Sequence, residues 1–313
     1  MLQSFQMQNI SSTFTKLIVD SDADGIVCAA LLLRVFPGLK IVFSSPSQVQ
    51  DRKTEFNADP HTIVADLPFI NGCGLYFDHH ESNDPHRPFN GIWRAEFSAA
   101  RVIFENYKTQ QGLEIYDFEQ ILPILDKFDS GNLTSDDLNR MDFFLRLIYS
   151  TKKFDEKYFL HLIDLLASKG PSTLVDDELV RLKINEFESQ IIKMKEDIKN
   201  VSTIDSPIAF VNLINKSYSN IHVTFLEKEL YDNLIFVVFK KDAESIRVNL
   251  YDNNLNPKAK NLDGSRYDLL SVAKIMNPEH SGGHTSGCGF SLPKEMSIDE
   301  CIKTLTPLLK KML

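Results

Sequence analysis

Residues 17–35 read LIVDSDADGIVCAALLLRV. Leu17, Ile18 and Val19 suit a short strand that runs into Asp20, Asp22 and Asp24 at alternate positions, and Gly25 lets the chain turn sharply into a helix too apolar to lie on a surface. Strand, acidic turn and buried helix in this order open a parallel α/β sheet, whose ligands bind beyond the carboxyl ends of the strands. Alone, the acidic turn reads equally well as a helix cap with solvated acids. A calcium loop of the EF-hand kind is disfavoured, because apolar residues follow Gly25 where a bidentate acid is needed.

The same pattern recurs downstream. Leu39 to Phe43 leads into Ser44, Thr62 to Ala65 into Asp66, and Leu75 to Phe77 into Asp78, His79 and His80. Glu96 to Tyr107 predicts an amphipathic helix, and Asp117 to Lys169 a helical second half that stops at Gly170-Pro171. Val180, Ile184, Phe187, Ile191, Met194 and Ile198 form one apolar stripe along a helix of about five turns. That helix is read as a connector; a coiled-coil homodimer is the alternative, with fewer than three full heptads to support it. Pro207 to Val211, Leu234 to Phe239 and Ile246 to Leu250 predict strands of a smaller mixed domain, and Tyr267 to Met276 and Ile298 to Leu313 its helices. The boundaries read 1–178 for the first domain, 179–203 for the connector and 204–313 for the second.

Composition narrows the classes. Hydrophobic residues make up 43% and charged ones 25% of the 313 residues, which excludes disordered and fibrous chains. The longest apolar run, Gly25 to Leu33, is too short for a membrane span, and no basic residue precedes Lys16 as a secretory leader would require, so the cytoplasm is the expected compartment. Cys28, Cys73, Cys288 and Cys301 form no C-x-x-C pair, against a zinc ribbon or a disulfide framework. A net charge of −9 repels long duplex DNA. Carboxylates and imidazoles gathered from three strand ends form a mixed oxygen and nitrogen donor set, which suits Mn²⁺ or another six-coordinate first-row ion.

These stretches resemble the DHH phosphoesterase superfamily: DSDADG at 20–25, VADLP at 64–68, YFDHHESND at 76–84 with the triplet Asp78-His79-His80, and the helix FSAARVIFENY at 97–107. SGGHTSGCG at 281–289 resembles the GGGH signature of the associated DHHA1 domain. The resemblance implies an α/β fold, with a parallel-sheet DHH domain linked by a helix to a smaller mixed DHHA1 domain. It implies two divalent ions, Mn²⁺ first and Mg²⁺ or Co²⁺ as alternatives. Asp22 and Asp24 would be ligands, Asp66 would bridge, and His79 would hold the second ion. Asp20 stands where many members carry histidine and is taken as a ligand of another type. Asp78 would orient the catalytic histidines, and His80, Gly282, Gly283 and His284 would meet substrate phosphate. The fourth-motif acid is Asp126 or Asp129, with Asp129 preferred as nearer the helix end. The usual S-x-R strand reads Asn249-Leu250-Tyr251, which leaves Arg247 or Arg266 as substitutes for its arginine. The implied activity is hydrolysis of short oligonucleotides or small nucleotide phosphodiesters. Alternatives are an exopolyphosphatase, a nucleoside-bisphosphate phosphatase and, from another class, a non-catalytic nucleotide-binding regulator.

Overall fold

The computed structural model describes residues 14–50, 57–218, 223–241, 245–284 and 287–313. They fall into two units, the first running to Leu133 and again from Arg140 to Ile184, the second covering Thr134–Asn139 and everything from Asn185 on.

In the first unit β1 (Lys16–Asp20), α1 (Ala23–Val35), β2 (Lys40–Ser44), α2 (Pro46–Gln50), β3 (Thr62–Ala65), β4 (Leu75–Asp78) and β5 (Gly91–Trp93) follow one another. The five strands pair in parallel in the order β2-β1-β3-β4-β5. β3 and β4 are buried along their whole length, which is why TIVA and LYFD read as continuous apolar runs up to the final acid. From β1 the chain steps to β2 on one side and returns to β3 on the other. That reversal opens a crevice between the carboxyl ends of β1 and β3, where Asp20 and Asp66 stand.

The turn from β1 into α1 is held locally. Asp22 caps the helix by accepting the Gly25 N–H at 2.9 Å. A Cβ on Gly25 would lie 2.1 Å from the Asp20 carbonyl oxygen, so only glycine lets the first turn pass so close to the strand end. α1 is buried from Ala23 to Leu32, as its apolar sequence requires. The helical half follows as α3 (Ala99–Tyr107), α4 (Leu122–Asp129), α5 (Ser135–Arg140), which falls almost wholly in the second unit, α6 (Phe143–Ser150) and α7 (Glu156–Lys169), and α7 ends on Gly170 at φ +88°.

α8 (Glu178–Val201) runs for 24 residues. Val180, Ile184, Phe187, Met194 and Ile198 are buried within the single chain and Ile191 is half-buried. The second unit continues with β6 (Ser202–Asp205), β7 (Ile208–Asn212), α9 (Val223–Glu229), β8 (Ile235–Lys241), β9 (Ile246–Asp252), α10 (Leu269–Met276), β10 (Ser281–His284), β11 (Gly287–Ser291) and α11 (Ile298–Lys310). Its sheet has the order β10-β11-β9-β8-β7-β6, and of its pairings β7 with β8 is parallel. Phe210, Val237, Phe239, Val248, Leu250 and Phe290 meet Leu269, Ala273, Cys301 and Leu305 in its core.

The glycine-rich segment begins as a strand: Ser281 to His284 pairs antiparallel with Gly287 to Phe290. Glycine's low strand propensity hides it in the sequence. β5, β6, β11, α2 and α9 are likewise additional to the elements read from the sequence. All four cysteines are free thiols. Among the described residues no helix is long and apolar enough to cross a membrane.

Candidate metal centre

The carboxyl ends of β1, β3 and β4 deliver Asp20, Asp66, Asp78 and His79, the start of α1 adds Asp22 and Asp24, and the end of α4 adds Asp129. Ligand atoms of Asp20, Asp22 and Asp66 lie within 4.8 Å of one another, as do those of Asp24, His79 and Asp129. His79 Nε2 is 3.8 Å from Asp66 Oδ1, so Asp66 adjoins both groups. Asp66 itself sits at φ +56°, a left-handed conformation uncommon outside glycine and costly enough to need support from its surroundings.

Burial and mutual repulsion load these acids. Burial first, then the Asp22 charge, pushes Asp20 up to about 7. Burial raises Asp22, Asp24 and Asp66 too, with Asp129 acting on Asp22 and Asp24, and Asp24 acting on Asp66. Asp24 is pinned by the amino end of α3: its Oδ2 accepts the Ala99 N–H at 2.6 Å and its Oδ1 the Ala100 N–H at 2.9 Å. His79 Nδ1 lies 3.1 Å from the Glu96 carbonyl oxygen, a contact that fixes one ring proton on Nδ1 and turns Nε2 toward the cluster. Burial alone would lower His79; contact with Asp129 and the Asp24 charge outweigh it and lift the imidazole to about 9.

His79 Nε2 and Asp129 Oδ2 stand 3.0 Å apart as an ion pair, and both atoms are buried without a hydrogen-bond partner. Two unsatisfied buried ligand atoms facing each other amid repelling carboxylates fit a site built for cations. The donors are oxygen and imidazole nitrogen without thiolate, as hard divalent ions prefer.

Asp78 is different. Its Oδ1 accepts from the His79 N–H (2.6 Å), the His80 N–H (3.0 Å) and His80 Nδ1 (3.0 Å), and its Oδ2 from the Tyr76 hydroxyl (2.8 Å) and Asn83 Nδ2 (2.6 Å). Burial would raise Asp78, and these donors, led by His80, hold it below the usual carboxylate range. With five donors on two oxygens it has no lone pair to spare, so it orients the histidines although it lies near the ligand atoms. His80, more exposed, turns its Nδ1 to Asp78, and its carbonyl accepts the indole N–H of Trp93 at 2.9 Å.

Asp126 and Asp129 part company. Asp126 accepts the Ser98 hydroxyl at 2.7 Å and Arg101 Nε and Nη2 at 2.9 and 2.6 Å, which ties α4 to α3, whereas Asp129 stands in the cluster. Sequence reasoning missed Tyr76 and Asn83, whose signal is their fixed spacing around Asp78. In the second unit Gly282 pairs with Gly289 in the β10–β11 ladder, while the side chain of His284 lies outside the described residues. Arg266 is locked on Asp252 through Nε and Nη2 and on Asn254 through Nη1, so it is not a free phosphate contact. Arg247 lies beside Asn249 over Gly289, where a Cβ would come within 3.1 Å of Arg247 Nε.

No protein-family model matches the sequence, and no curated protein matches it. Among solved structures the chain is similar to a pGpG-specific phosphodiesterase from Vibrio cholerae, with TM-score 0.73, 18% identity, and coverage of 95% of this chain and 98% of that one. The DHH domain of a protein described as a member of a ribosomal protein family gives TM-score 0.61 at 12% identity, covering 96% and 87%. RecJ from Thermus thermophilus in complex with Mn²⁺ gives 0.55 at 13%, covering 96% of this chain and 52% of that one. These likenesses establish that the fold is the two-part fold of DHH-domain proteins.

Proposed function

We propose that this chain is a metal-dependent phosphoesterase that hydrolyses short oligonucleotides or small nucleotide phosphodiesters. The observation that carries the reading is the pair of His79 Nε2 and Asp129 Oδ2, both buried without a hydrogen-bond partner within a cage of repelling carboxylates. Asp20, Asp22, Asp24, Asp66, His79 and Asp129 would hold two divalent ions, with Mn²⁺ proposed first because RecJ, on the same fold, is described in complex with it. Such ions supply Lewis-acid stabilisation of phosphoryl oxygens and lower the pKa of water to near neutrality.

The chain's own residues prepare the rest. Asp78, fixed by Tyr76 and Asn83, sets the backbone of His79 and His80 and holds the His80 ring by Nδ1. His80, the exposed member of the triplet, is the proposed donor to a substrate phosphate, through Nε2 when the ring carries both protons. Gly282, Gly283 and His284 are proposed to bind the substrate's end. The structural neighbour described as pGpG-specific supports a linear dinucleotide as the first substrate to try. The cytoplasm is the proposed compartment, where the four free cysteines stay thiols.

Dialysis against a chelator should abolish hydrolysis of a linear dinucleotide, and Mn²⁺ should restore it better than Ca²⁺. Full activity after chelation would exclude the metal reading. Turnover of polyphosphate or a nucleoside bisphosphate alone would move the substrate class, and Mn²⁺ binding without any turnover would make the protein a regulator.

A further inference from the structure

Lys152 lies just past α6, one residue beyond its C-cap Thr151. Its Nζ sits 4.3 Å from the centre of the Phe128 ring, and Phe128 immediately precedes Asp129. Phe128 is in turn braced edge-on by Tyr149 at 5.2 Å. Lys152 is exposed, and its ammonium rests against this aromatic face by cation–π attraction. It feels the charges of Asp22, Asp129 and Asp20, and Asp22 feels it in return. Among the described residues it makes no ion pair within 4.0 Å.

A cation that only neutralised these acids would close onto one of them. Five carboxylates, those of Asp20, Asp22, Asp24, Asp66 and Asp129, outweigh two divalent ions by one negative charge. A phosphodiester brings another negative charge to that site, and like charges a few ångströms apart in a partly desolvated pocket repel strongly. A cation outside the ligand set, close to the acids but free of them, answers that repulsion. Of the two arginines named from the sequence, Arg266 is already bound to Asp252.

We propose that Lys152, held on the Phe128 ring that precedes Asp129, contacts a non-bridging oxygen of the substrate phosphate. The inference rests on the two-ion reading above and adds to it a substrate-binding residue from the helical half of the first unit. An ammonium gives a phosphate a point charge and up to three donors, and its flexible stem lets it follow the oxygen.

The test uses the full-length protein and its K152Q, K152M and K152R variants, with circular dichroism to confirm folding. Mn²⁺ alone is titrated by electron paramagnetic resonance, and inorganic phosphate is then titrated calorimetrically into the Mn²⁺-loaded proteins. K152Q and K152M should bind Mn²⁺ as tightly as the parent or a few-fold tighter, since a nearby positive charge is gone. Both should bind phosphate about tenfold more weakly and raise KM for a dinucleotide by a similar factor, and K152R should regain most of the loss. K152M keeps the apolar stem over Phe128, so failure of K152Q alone to fold leaves the question answerable. Unchanged phosphate affinity in both neutral variants, or a loss of Mn²⁺ binding in them, overturns the proposal. A parent protein that takes up no Mn²⁺ removes the two-ion reading itself, and shows this before any variant is made.

Discussion

At the scale of single residues, Asp66 and Asp78 show how two buried acids a few ångströms apart take different tasks. Asp78 is saturated by donors and Asp66 is raised by its neighbours' charges, so one positions and the other has affinity left for a cation. Asp66→Ala should therefore cost more activity than the roughly 10–100-fold typical of losing a partner behind a ligand. Asn83→Ala, which removes one donor from Asp78, should fall within that range, and Asp20→Ala should cost less than Asp66→Ala. Steady-state kinetics on the three variants checks the order, and equal small losses would place the chemistry elsewhere. The titrations give a second expectation. Asp20 and His79 hold protons more tightly folded than unfolded. The stability from Asp20 is present below about 3.8 and gone by about 7, and that from His79 is present below about 6.5 and gone by about 9. The metal-free protein should thus lose thermal stability as pH rises through this window, and Mn²⁺, which replaces those protons, should protect most at its upper end. Melting curves in chelator and in Mn²⁺ at pH 5 and pH 9 read this directly; a metal-free protein that gains stability over the interval would contradict it.

At the scale of elements, the turn from β1 into α1 is the joint on which the cluster hangs. Gly25→Ala forces a methyl against the Asp20 carbonyl and should destabilise the fold by about 3 kcal/mol while shifting Asp22 and Asp24 off their positions. Denaturant unfolding with a Mn²⁺ titration should show both losses, and a variant that keeps parental Mn²⁺ affinity would mean that the turn has slack. The elements of this joint were legible because each has a strong local period: β1, β3 and β4 are apolar runs ended by an acid, and α1 is apolar throughout. β5 has three residues and β10 is largely glycine, so neither carries a pattern. Asp126 and Asp129 are three residues apart on one helix, and the difference between them lies in Ser98 and Arg101, about 25 residues away in sequence, which no periodicity reveals. Lys152 is invisible for the same reason, since it reaches Asp22 across 130 residues of chain.

At the scale of the whole molecule, a net charge of −9 leaves little long-range attraction for a polyanion. Affinity then has to come from a few local contacts at one phosphate, and counterion release contributes little. Hydrolysis of an oligonucleotide series should be fastest at about two to five nucleotides, with log(kcat/KM) falling only weakly with log salt. A steep salt slope or processive degradation of long strands would contradict this. The chain also carries one tryptophan, and that Trp93 donates its indole N–H to the His80 carbonyl. All tryptophan emission of the protein therefore originates at the edge of the proposed metal centre, with no second fluorophore of its kind to dilute it. Paramagnetic Mn²⁺ should quench this emission where diamagnetic Mg²⁺ does not, so the unlabelled protein carries an optical gauge of its own metal occupancy.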